Sequence, residues 1–255
     1  MTTKLDGIEG KVAIVTGGAS GIGEASALRL SELGARVCIV DLNGDAVSAL
    51  VDRIGGEKAV GVEADVSSEA GVKRYVEAAL DRFGRIDFLH SNAGIIGTPG
   101  PLVEATGENF DKVFAVNVRS AVLGLAAVAG PMQAQGGGSI VITASVSGVR
   151  PSPGLGVYAA SKIALVALAK TAAVEFGPAG IRVNAIAPGL TDTPAFRATS
   201  QVSMDDDSSI FDKVMLPLAR VGTPTEVANL VGWLMSDQSS YVTGGLYHVD
   251  GGLGI

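Results

Sequence analysis

The chain has 255 residues, of which 47% are hydrophobic and 18% are charged, and its formal net charge is −7. This composition supports a large buried core and excludes a disordered chain, and the negative charge argues against a nucleic-acid or anionic-membrane surface. The chain has one cysteine, and its N-terminus is polar and lacks a signal core. Its longest apolar stretch, near 121–131, is too short to cross a bilayer. These features predict a protein of the cytoplasm without disulfides or membrane spans.

Short β-branched runs alternate with longer segments of helical periodicity along the whole chain. The predicted strands are 12–16, 36–41, 59–65, 86–91, 139–145, 181–187 and 245–249. The predicted helices are about 22–33, 45–54, a helix capped at Ser67 or Ser68 that runs to Phe83, 106–132, 157–176 and 224–235.

Apolar strands separated by helices favour a parallel sheet, because right-handed crossovers place helices on its faces. We therefore predict a single α/β domain over residues 1–255. Its fold class is a Rossmann-like, doubly wound parallel sheet of about seven strands with helices on both faces. The irregular segment at about 190–220 is predicted to form a lid over the substrate.

A glycine-rich loop, Thr16-Gly17-Gly18-Ala19-Ser20-Gly21-Ile22-Gly23, joins the first strand to the first helix. Glycines let the backbone approach a ligand closely, and the free N–H groups of a helix start can bind a pyrophosphate. The spacing G-x-x-x-G-x-G differs from the G-x-G-x-x-G fingerprint, so a purely structural turn is the alternative. The candidate cofactor contacts in this loop are Gly17, Ser20, Gly21, Ile22 and Gly23.

Acidic residues end the next two predicted strands. Asp41 lies eighteen residues after Gly23, where a carboxylate can bind the 2′-hydroxyl of an adenosine ribose and would repel a 2′-phosphate. The glycine loop contains no Lys or Arg, so NAD is predicted rather than NADP, with helix capping as the alternative for Asp41. Asp65 and Val66 could meet the adenine amino group, and capping of the next helix fits Asp65 equally well.

Tyr158 and Lys162 lie four residues apart in a predicted helix, and therefore on one helix face. A nearby cation favours the phenolate and lowers a tyrosine pKa from its usual value of about 10. Tyr158 is therefore a candidate general acid/base. From this pattern alone, an ordinary surface pair is the alternative.

Together these residues resemble the short-chain dehydrogenase/reductase family over nearly the whole chain. The segments that carry the resemblance are Thr16 to Gly23, Asn92-Ala93-Gly94 (preceded by Ser91 where the family usually has a second Asn), Asn117, Ser145 thirteen residues before Tyr158, Tyr158 with Lys162, and Pro188-Gly189 followed by Thr193.

The resemblance implies a catalytic set of Asn117, Ser145, Tyr158 and Lys162. Tyr158 would exchange a proton with the substrate oxygen, which Ser145 would hold. Lys162 would bind the nicotinamide ribose hydroxyls and depress the Tyr158 pKa. Asn117 would hold a water that links Lys162 to solvent.

The resemblance also implies further cofactor contacts. Asn92, Ala93 and Gly94 would stabilise the sheet beside the adenosine, and Pro188 and Gly189 follow the sixth predicted strand. Thr193 would contact the nicotinamide carboxamide. Thr191 stands where the family often has an aliphatic residue, so either its main chain contacts the carboxamide or its hydroxyl bonds its own backbone.

The expected function is hydride transfer between NAD(H) and a secondary alcohol or ketone. Apolar side chains in the variable segments 95–102, 146–157 and 194–216 favour a hydrophobic substrate, and Arg150 is the only cation of the first two segments. Arg197 and Lys213 in the third segment keep an anionic substrate open. A catalytically silent nucleotide-binding regulator is the alternative, and the complete catalytic set argues against it. An epimerase or dehydratase is disfavoured by the length of the chain.

Two expectations concern other partners. No spacing of His, Cys, Asp or Glu predicts a metal site. The resemblance implies a homotetramer that pairs the helices 106–132 and 157–176 between subunits, with ordinary packing within one subunit as the alternative.

Overall fold

The computed structural model describes residues 5–199 and 216–254, and in this part of the chain seven strands form one parallel sheet. The sheet has the order β3-β2-β1-β4-β5-β6-β7. The strands are β1 (Val12–Thr16), β2 (Arg36–Asp41), β3 (Ala59–Glu63), β4 (Phe88–Ser91), β5 (Gly138–Thr143), β6 (Ile181–Pro188) and β7 (Leu246–Val249). The α-helices are α1 (Gly21–Glu32), α2 (Gly44–Ile54), α3 (Glu69–Phe83), α4 (Gly107–Phe114), α5 (Ser120–Ala134), α6 (Gly156–Phe176), α7 (Pro194–Thr199) and α8 (Pro224–Met235).

The helices cover both faces of the sheet, as predicted. One apolar cluster joins the sheet to α3, α5 and α6 through residues such as Tyr75, Leu125 and Leu165. The other joins the opposite face to α1, α2 and α8 through residues such as Leu30 and Val231. The prediction of a doubly wound, Rossmann-like sheet is therefore confirmed.

The strand order reverses between β1 and β4, which pair in parallel with Ala13 opposite Phe88. In doubly wound sheets such a reversal opens a crevice at the carboxyl ends of the strands, and ligands bind there. The glycine loop after β1 and the segments after β4, β5 and β6 all lie at this edge.

Three of the predicted boundaries that bear on the site were wrong. The helix predicted over 106–132 is divided into α4 and α5 by a π-helical turn, Ala115–Arg119, and α5 continues past Pro131. The strand predicted to reach Ser145 ends at Thr143, so Ser145 lies beyond the sheet. The strand predicted to reach Asp65 ends at Glu63.

Two helical stretches, Gly107–Ala134 and Gly156–Ala179, are long and apolar enough to cross a membrane by length and composition. Both also contribute buried side chains to the core beside the sheet, Leu125 and Leu165 among them. Core helices of soluble proteins pass the same test, so the absence of membrane spans stays a prediction. The lid expected at about 190–220 lies in large part, from 200 to 215, outside the described residues.

Candidate active site

Ser145, Tyr158 and Lys162 converge at the carboxyl edge of β5. Tyr158 and Lys162 lie on α6, and the Lys162 Nζ is 5.6 Å from the centre of the Tyr158 ring. Ser145 follows β5 and hydrogen-bonds to Tyr158. Ser145 and Lys162 are 8% and 3% exposed, respectively, so these polar groups meet in a site largely closed to water.

Asn117 joins this group through the π-helical turn. Its Oδ1 accepts a hydrogen bond from Ile95 N at 2.8 Å, and its Nδ2 donates to Ile95 O at 3.0 Å and to Ser161 Oγ at 2.9 Å. A Cβ added to Gly94 would lie 3.0 Å from Lys162 Nζ and 3.3 Å from Asn117 Oδ1. Asn117 and Lys162 therefore both lie next to Gly94, so their side chains belong to the same part of the site.

Burial controls the titration of the two central groups. It lowers the pKa of Lys162 to about 8 and raises the pKa of Tyr158, an effect that the hydrogen bond with Ser145 opposes. The expected lowering of the Tyr158 pKa by Lys162 was therefore wrong for the cofactor-free protein. The Lys162 Nζ lies over the ring and donates to Thr143 O at 2.9 Å, and burial is the largest cause of the shift in the Tyr158 pKa.

The glycine loop forms a cradle that fits a dinucleotide pyrophosphate. Gly17 and Gly21 adopt φ of +60° and +53°, which favour glycine. A Cβ added to Gly23 would collide with the carbonyl of Gly17, so only glycine fits at the start of α1. Ser20 is the extended N-cap residue of α1 without a side-chain cap bond, and Ile22 packs against the sheet core.

Asp41 lies beside this cradle at the end of β2. Its Oδ2 accepts a hydrogen bond from Ala19 N at 3.1 Å, and its Oδ1 accepts one from Asn43 N at 3.2 Å. Asn43 caps α2 by accepting from Ala46 N, which removes the capping alternative for Asp41. The carboxylate instead links the glycine loop to an open groove of about 530 Å³ that Glu63 also lines.

Asp65 and Val66 are placed less favourably. Asp65 Oδ1 accepts hydrogen bonds from Ser67 N at 2.9 Å and Ser67 Oγ at 2.7 Å, while Ser68 caps α3. Val66 is buried in the core cluster. Asp65 thus shapes the turn before α3, which is close to the helix-capping role considered for it, although the cap residue itself is Ser68.

Asn92 and Ala93 tie β4 to the glycine loop. Asn92 Nδ2 donates to Thr16 O at 3.1 Å and to Gly17 O at 3.3 Å, and Asn92 N and Ala93 N both donate to Thr16 Oγ1. A Cβ added to Gly17 would lie 2.9 Å from Ala93 Cα. These residues set the shape of the cofactor loop.

The segment after β6 reaches the same loop. Pro188 ends β6, and Gly189 N donates to Val249 O at 3.2 Å. Thr191 is buried and its hydroxyl donates to Gly189 O at 3.2 Å, which is the local role weighed for it. A Cβ added to Gly21 would lie 3.1 Å from the Thr193 methyl, so Thr193 lies next to the glycine cradle.

Two buried residues of the site were not identified from the sequence. Thr143 accepts Lys162 Nζ with its carbonyl, and its hydroxyl donates to Asn92 Oδ1 at 3.2 Å. His90 Nε2 lies 2.9 Å from Thr143 Oγ1. Because that hydroxyl proton is directed to Asn92, the geometry requires His90 to be the Nε2–H tautomer. Both are polar residues near the ends of apolar strands, and that feature of the sequence could have identified them as site residues.

A cleft of about 250 Å³ opens beside Tyr158. Its walls are the segments 96–106 and 154–158, joined by a hydrogen bond from Gly100 N to Gly154 O at 2.9 Å. Glu104 is the one charged residue among its described lining residues. The apolar lining residues are Ile96, Pro99, Pro101, Leu102, Ala105, Leu155 and Val157.

The described cations of the variable segments, Arg150 and Arg197, are bonded to groups of the chain itself. Arg150 Nη1 donates to Leu253 O at 2.9 Å, and Arg197 forms a two-pronged ion pair with Asp192 at 2.6 and 2.7 Å. Lys213 lies outside the described residues. No group of three or more His, Cys, Asp or Glu side chains that could hold a metal occurs within residues 5–199 and 216–254.

Comparisons with known proteins cover the whole of this site. The family model described as enoyl-(acyl carrier protein) reductase matches residues 17–254. Levodione reductase of Leifsonia aquatica is 39% identical over 249 residues, which are 95% of this chain and 93% of that protein.

Two solved structures that contain NADH are also similar. That of 3-ketoacyl-(acyl-carrier-protein) reductase from Brucella melitensis, complexed with NADH, has a TM-score of 0.90 and 36% identity, covering 97% of this chain and 100% of that one. That of 7α-hydroxysteroid dehydrogenase, complexed with NADH and 7-oxoglycochenodeoxycholic acid, has a TM-score of 0.89 and 32% identity, covering 98% of this chain and 95% of that one.

Proposed function

The chain belongs to the short-chain dehydrogenase/reductase family, and from that premise we propose that it transfers a hydride between NAD(H) and an uncharged, apolar secondary alcohol or ketone. Its relatives are dehydrogenases and reductases, so the chain is an oxidoreductase that uses a nicotinamide cofactor. The observation that carries the proposal is the hydrogen-bonded pair Ser145–Tyr158 with Lys162 beside it, next to the glycine cradle.

In alcohol oxidation Tyr158 acts as the phenolate and takes the hydroxyl proton while the C–H bond breaks and the C=O bond forms, and in reduction the phenol gives that proton to the substrate oxygen. The nicotinamide ring supplies the acceptor for the hydride, and in reduction it supplies the donor. Ser145 orients the substrate oxygen toward Tyr158. Lys162, charged below about pH 8, holds positive charge beside the phenol, and Asn117 fixes the segment at Ile95 that borders the ammonium.

The choice of NAD over NADP is supported by the charge of the groove at the end of β2. Asp41 and Glu63 are register partners on neighbouring parallel strands, and Asp45 lines the same groove. Three carboxylates would repel the 2′-phosphate of NADP. Asp41, held against the glycine loop by Ala19 N, is the group proposed to bind the ribose hydroxyl.

The choice of an uncharged substrate is supported by the cleft beside Tyr158. Its lining is mainly apolar and includes no cation among the described residues. Arg150 and Arg197 are engaged by the chain itself. A carboxylate or phosphate on the substrate would therefore lie near Glu104 without a described partner of opposite charge.

A panel of secondary alcohols and ketones, assayed for change in NADH absorbance, tests the proposal. We expect turnover with apolar members, and weaker turnover with matched members that carry a carboxylate. A panel in which only anionic members react would contradict the proposed substrate class, and activity with NADPH alone would contradict the cofactor.

We also propose a homotetramer that pairs α5 and α6 between subunits. Val122 on α5 and Ile163 and Val174 on α6 are 43%, 44% and 78% exposed in one subunit, and burial of these apolar side chains between subunits would favour the pairing. Light scattering that shows a monomer at working concentration would contradict this.

A further inference from the structure

The C-terminal turn, residues 250–254, follows β7 and is shaped by one carboxylate. Asp250 Oδ1 accepts a hydrogen bond from Gly252 N, and Asp250 Oδ2 accepts one from Gly254 N, both at 2.9 Å. His248 Nδ1 lies 3.1 Å from Asp250 Oδ2. Gly252 has φ of +87°, a conformation that favours glycine. The turn therefore has a defined shape, although it stands near the end of the chain.

This turn is attached to the segment that follows Ser145. Leu253 is 8% exposed and packs in a small apolar cluster with Val146 and Leu216. Arg150 Nη1 donates to Leu253 O at 2.9 Å. Both ends of the short segment 146–150 are thus held by Leu253, through its side chain and its carbonyl.

The same segment touches the helix that carries the other reactive groups. Val146 to Gly148 form a 3₁₀ turn, and a Cβ added to Gly148 would lie 2.9 Å from Ile163 N and 3.0 Å from Lys162 C. A shift of this turn on α6 would therefore change the position of Ser145 relative to Tyr158.

We propose that Leu253 and Arg150 are positioning residues: the C-terminal turn holds segment 146–150 against α6, and so sets the position of Ser145 toward the substrate oxygen. This inference rests on the proposed function, in which Ser145 binds that oxygen. The C-terminal turn thereby contributes to substrate binding without containing a catalytic residue.

The effect should be larger on the substrate side of the site than at the glycine cradle of the cofactor. Leu253 packs with Val146, Leu216 and Leu190, and Leu190 lies between the candidate cofactor contacts Gly189 and Thr191. Ala19 and Ile22 of the glycine loop pack instead in the separate cluster formed with α1, α2 and α8. Loosening the C-terminal turn therefore leaves the cradle of the cofactor in place.

The test compares Leu253→Ala and Arg150→Met with the wild-type enzyme. We expect the KM for the alcohol or ketone to rise about tenfold in each, as is typical for loss of about 1.4 kcal/mol of binding, with the NADH dissociation constant within about twofold. Because both changes release the same segment, the double variant should be little worse than either single one. Arg150→Lys, which keeps a donor, and Leu253→Met, which keeps the volume, should restore the KM.

Leu218→Ala is the matched control, because Leu218 is 63% exposed while its main chain bonds Gly251 O beside the same turn. It should leave the KM unchanged. An unchanged KM in Leu253→Ala, or an equal loss of NADH affinity, would overturn the inference.

Amide hydrogen exchange separates this inference from the proposed function, because it needs no substrate. The amides of Gly148, Val149 and Arg150 bond Ser145 O and Val146 O. They should exchange about tenfold faster in Leu253→Ala, while amides of α1 keep their rates. Unchanged exchange at 148–150 would overturn the inference even in an enzyme with no activity on alcohols.

Discussion

Replacing His90 by Gln should flatten the acid side of the stability curve. His90 is fully buried on β4, and burial lowers its pKa to about 3, whereas an unfolded histidine has a pKa of about 6.5. Between these values the unfolded chain binds more protons than the folded one, so the free energy of unfolding falls as the pH falls. This contribution is present above pH 6.5 and is lost progressively down to about pH 3.

The size of the effect follows from these two pKa values. Linkage between pH 7 and pH 5 gives a loss of about 2 kcal/mol from His90 alone, or roughly 4–8 °C in Tm for a chain of this size. His90→Gln does not titrate, and its amide can still donate to Thr143 Oγ1, which His90 Nε2 contacts at 2.9 Å.

Urea unfolding of the wild-type protein and His90→Gln at pH 7, 6 and 5 measures this loss. The difference between their unfolding free energies should change by about 2 kcal/mol over the range. Parallel curves would refute the reasoning, because they would mean that His90 titrates alike in the folded and unfolded states.

Three further predictions concern the cofactor site. Gly23→Ala should abolish NADH binding, because the added Cβ would collide with Gly17 O. Gly56→Ala, which has open space around the added Cβ, should bind NADH normally. Equal NADH affinities of the two variants would contradict the proposed cradle. The NADH dissociation constant of the wild-type protein should rise by up to about tenfold per pH unit above pH 8, as Lys162 loses its proton. In Lys162→Met it should not change with pH. A wild-type dissociation constant that does not change with pH would contradict the proposed contact between Lys162 and the cofactor. Asp41→Ala should shift the ratio of kcat/KM toward NADP by about tenfold, since one repelling charge is removed, and an unchanged ratio would remove the reason for choosing NAD.

The parts of the fold that the sequence predicted best are those specified by neighbouring residues. The bounds of β1 and β2 were predicted to the residue from their β-branched runs. The start of α8 was predicted from Pro224, and the structure adds a capping box in which Thr223 and Glu226 bond each other's backbone N–H groups. Such signals are local, so one sequence suffices to identify them.

The parts that were missed depend on contacts between distant segments. The π-helical turn contains Asn117, whose side chain bonds Ile95 and Ser161, 22 and 44 residues away. The partner of Arg150 was also missed, because it is Leu253, 103 residues away. The rise in the Tyr158 pKa is likewise a result of burial, which the spacing to Lys162 could not show.

The candidate site was predicted in the same uneven way. The resemblance named Asn117, Ser145, Tyr158 and Lys162, and the structure brings all four to one edge of the sheet. Their roles stay predictions. Thr143 was missed because its carbonyl, rather than a recognisable side-chain motif, receives the Lys162 ammonium.

The central claim is that the Tyr158 hydroxyl exchanges the proton with the substrate. Tyr158→Phe keeps the ring beside Lys162 and removes only the hydroxyl that bonds Ser145. Single-turnover oxidation of an alcohol identified from the panel, with NADH binding measured on the same preparation, tests the claim most directly. The account predicts a rate lower by about 10²–10⁴-fold with nearly unchanged NADH affinity, and a variant that turns over at the wild-type rate would contradict it.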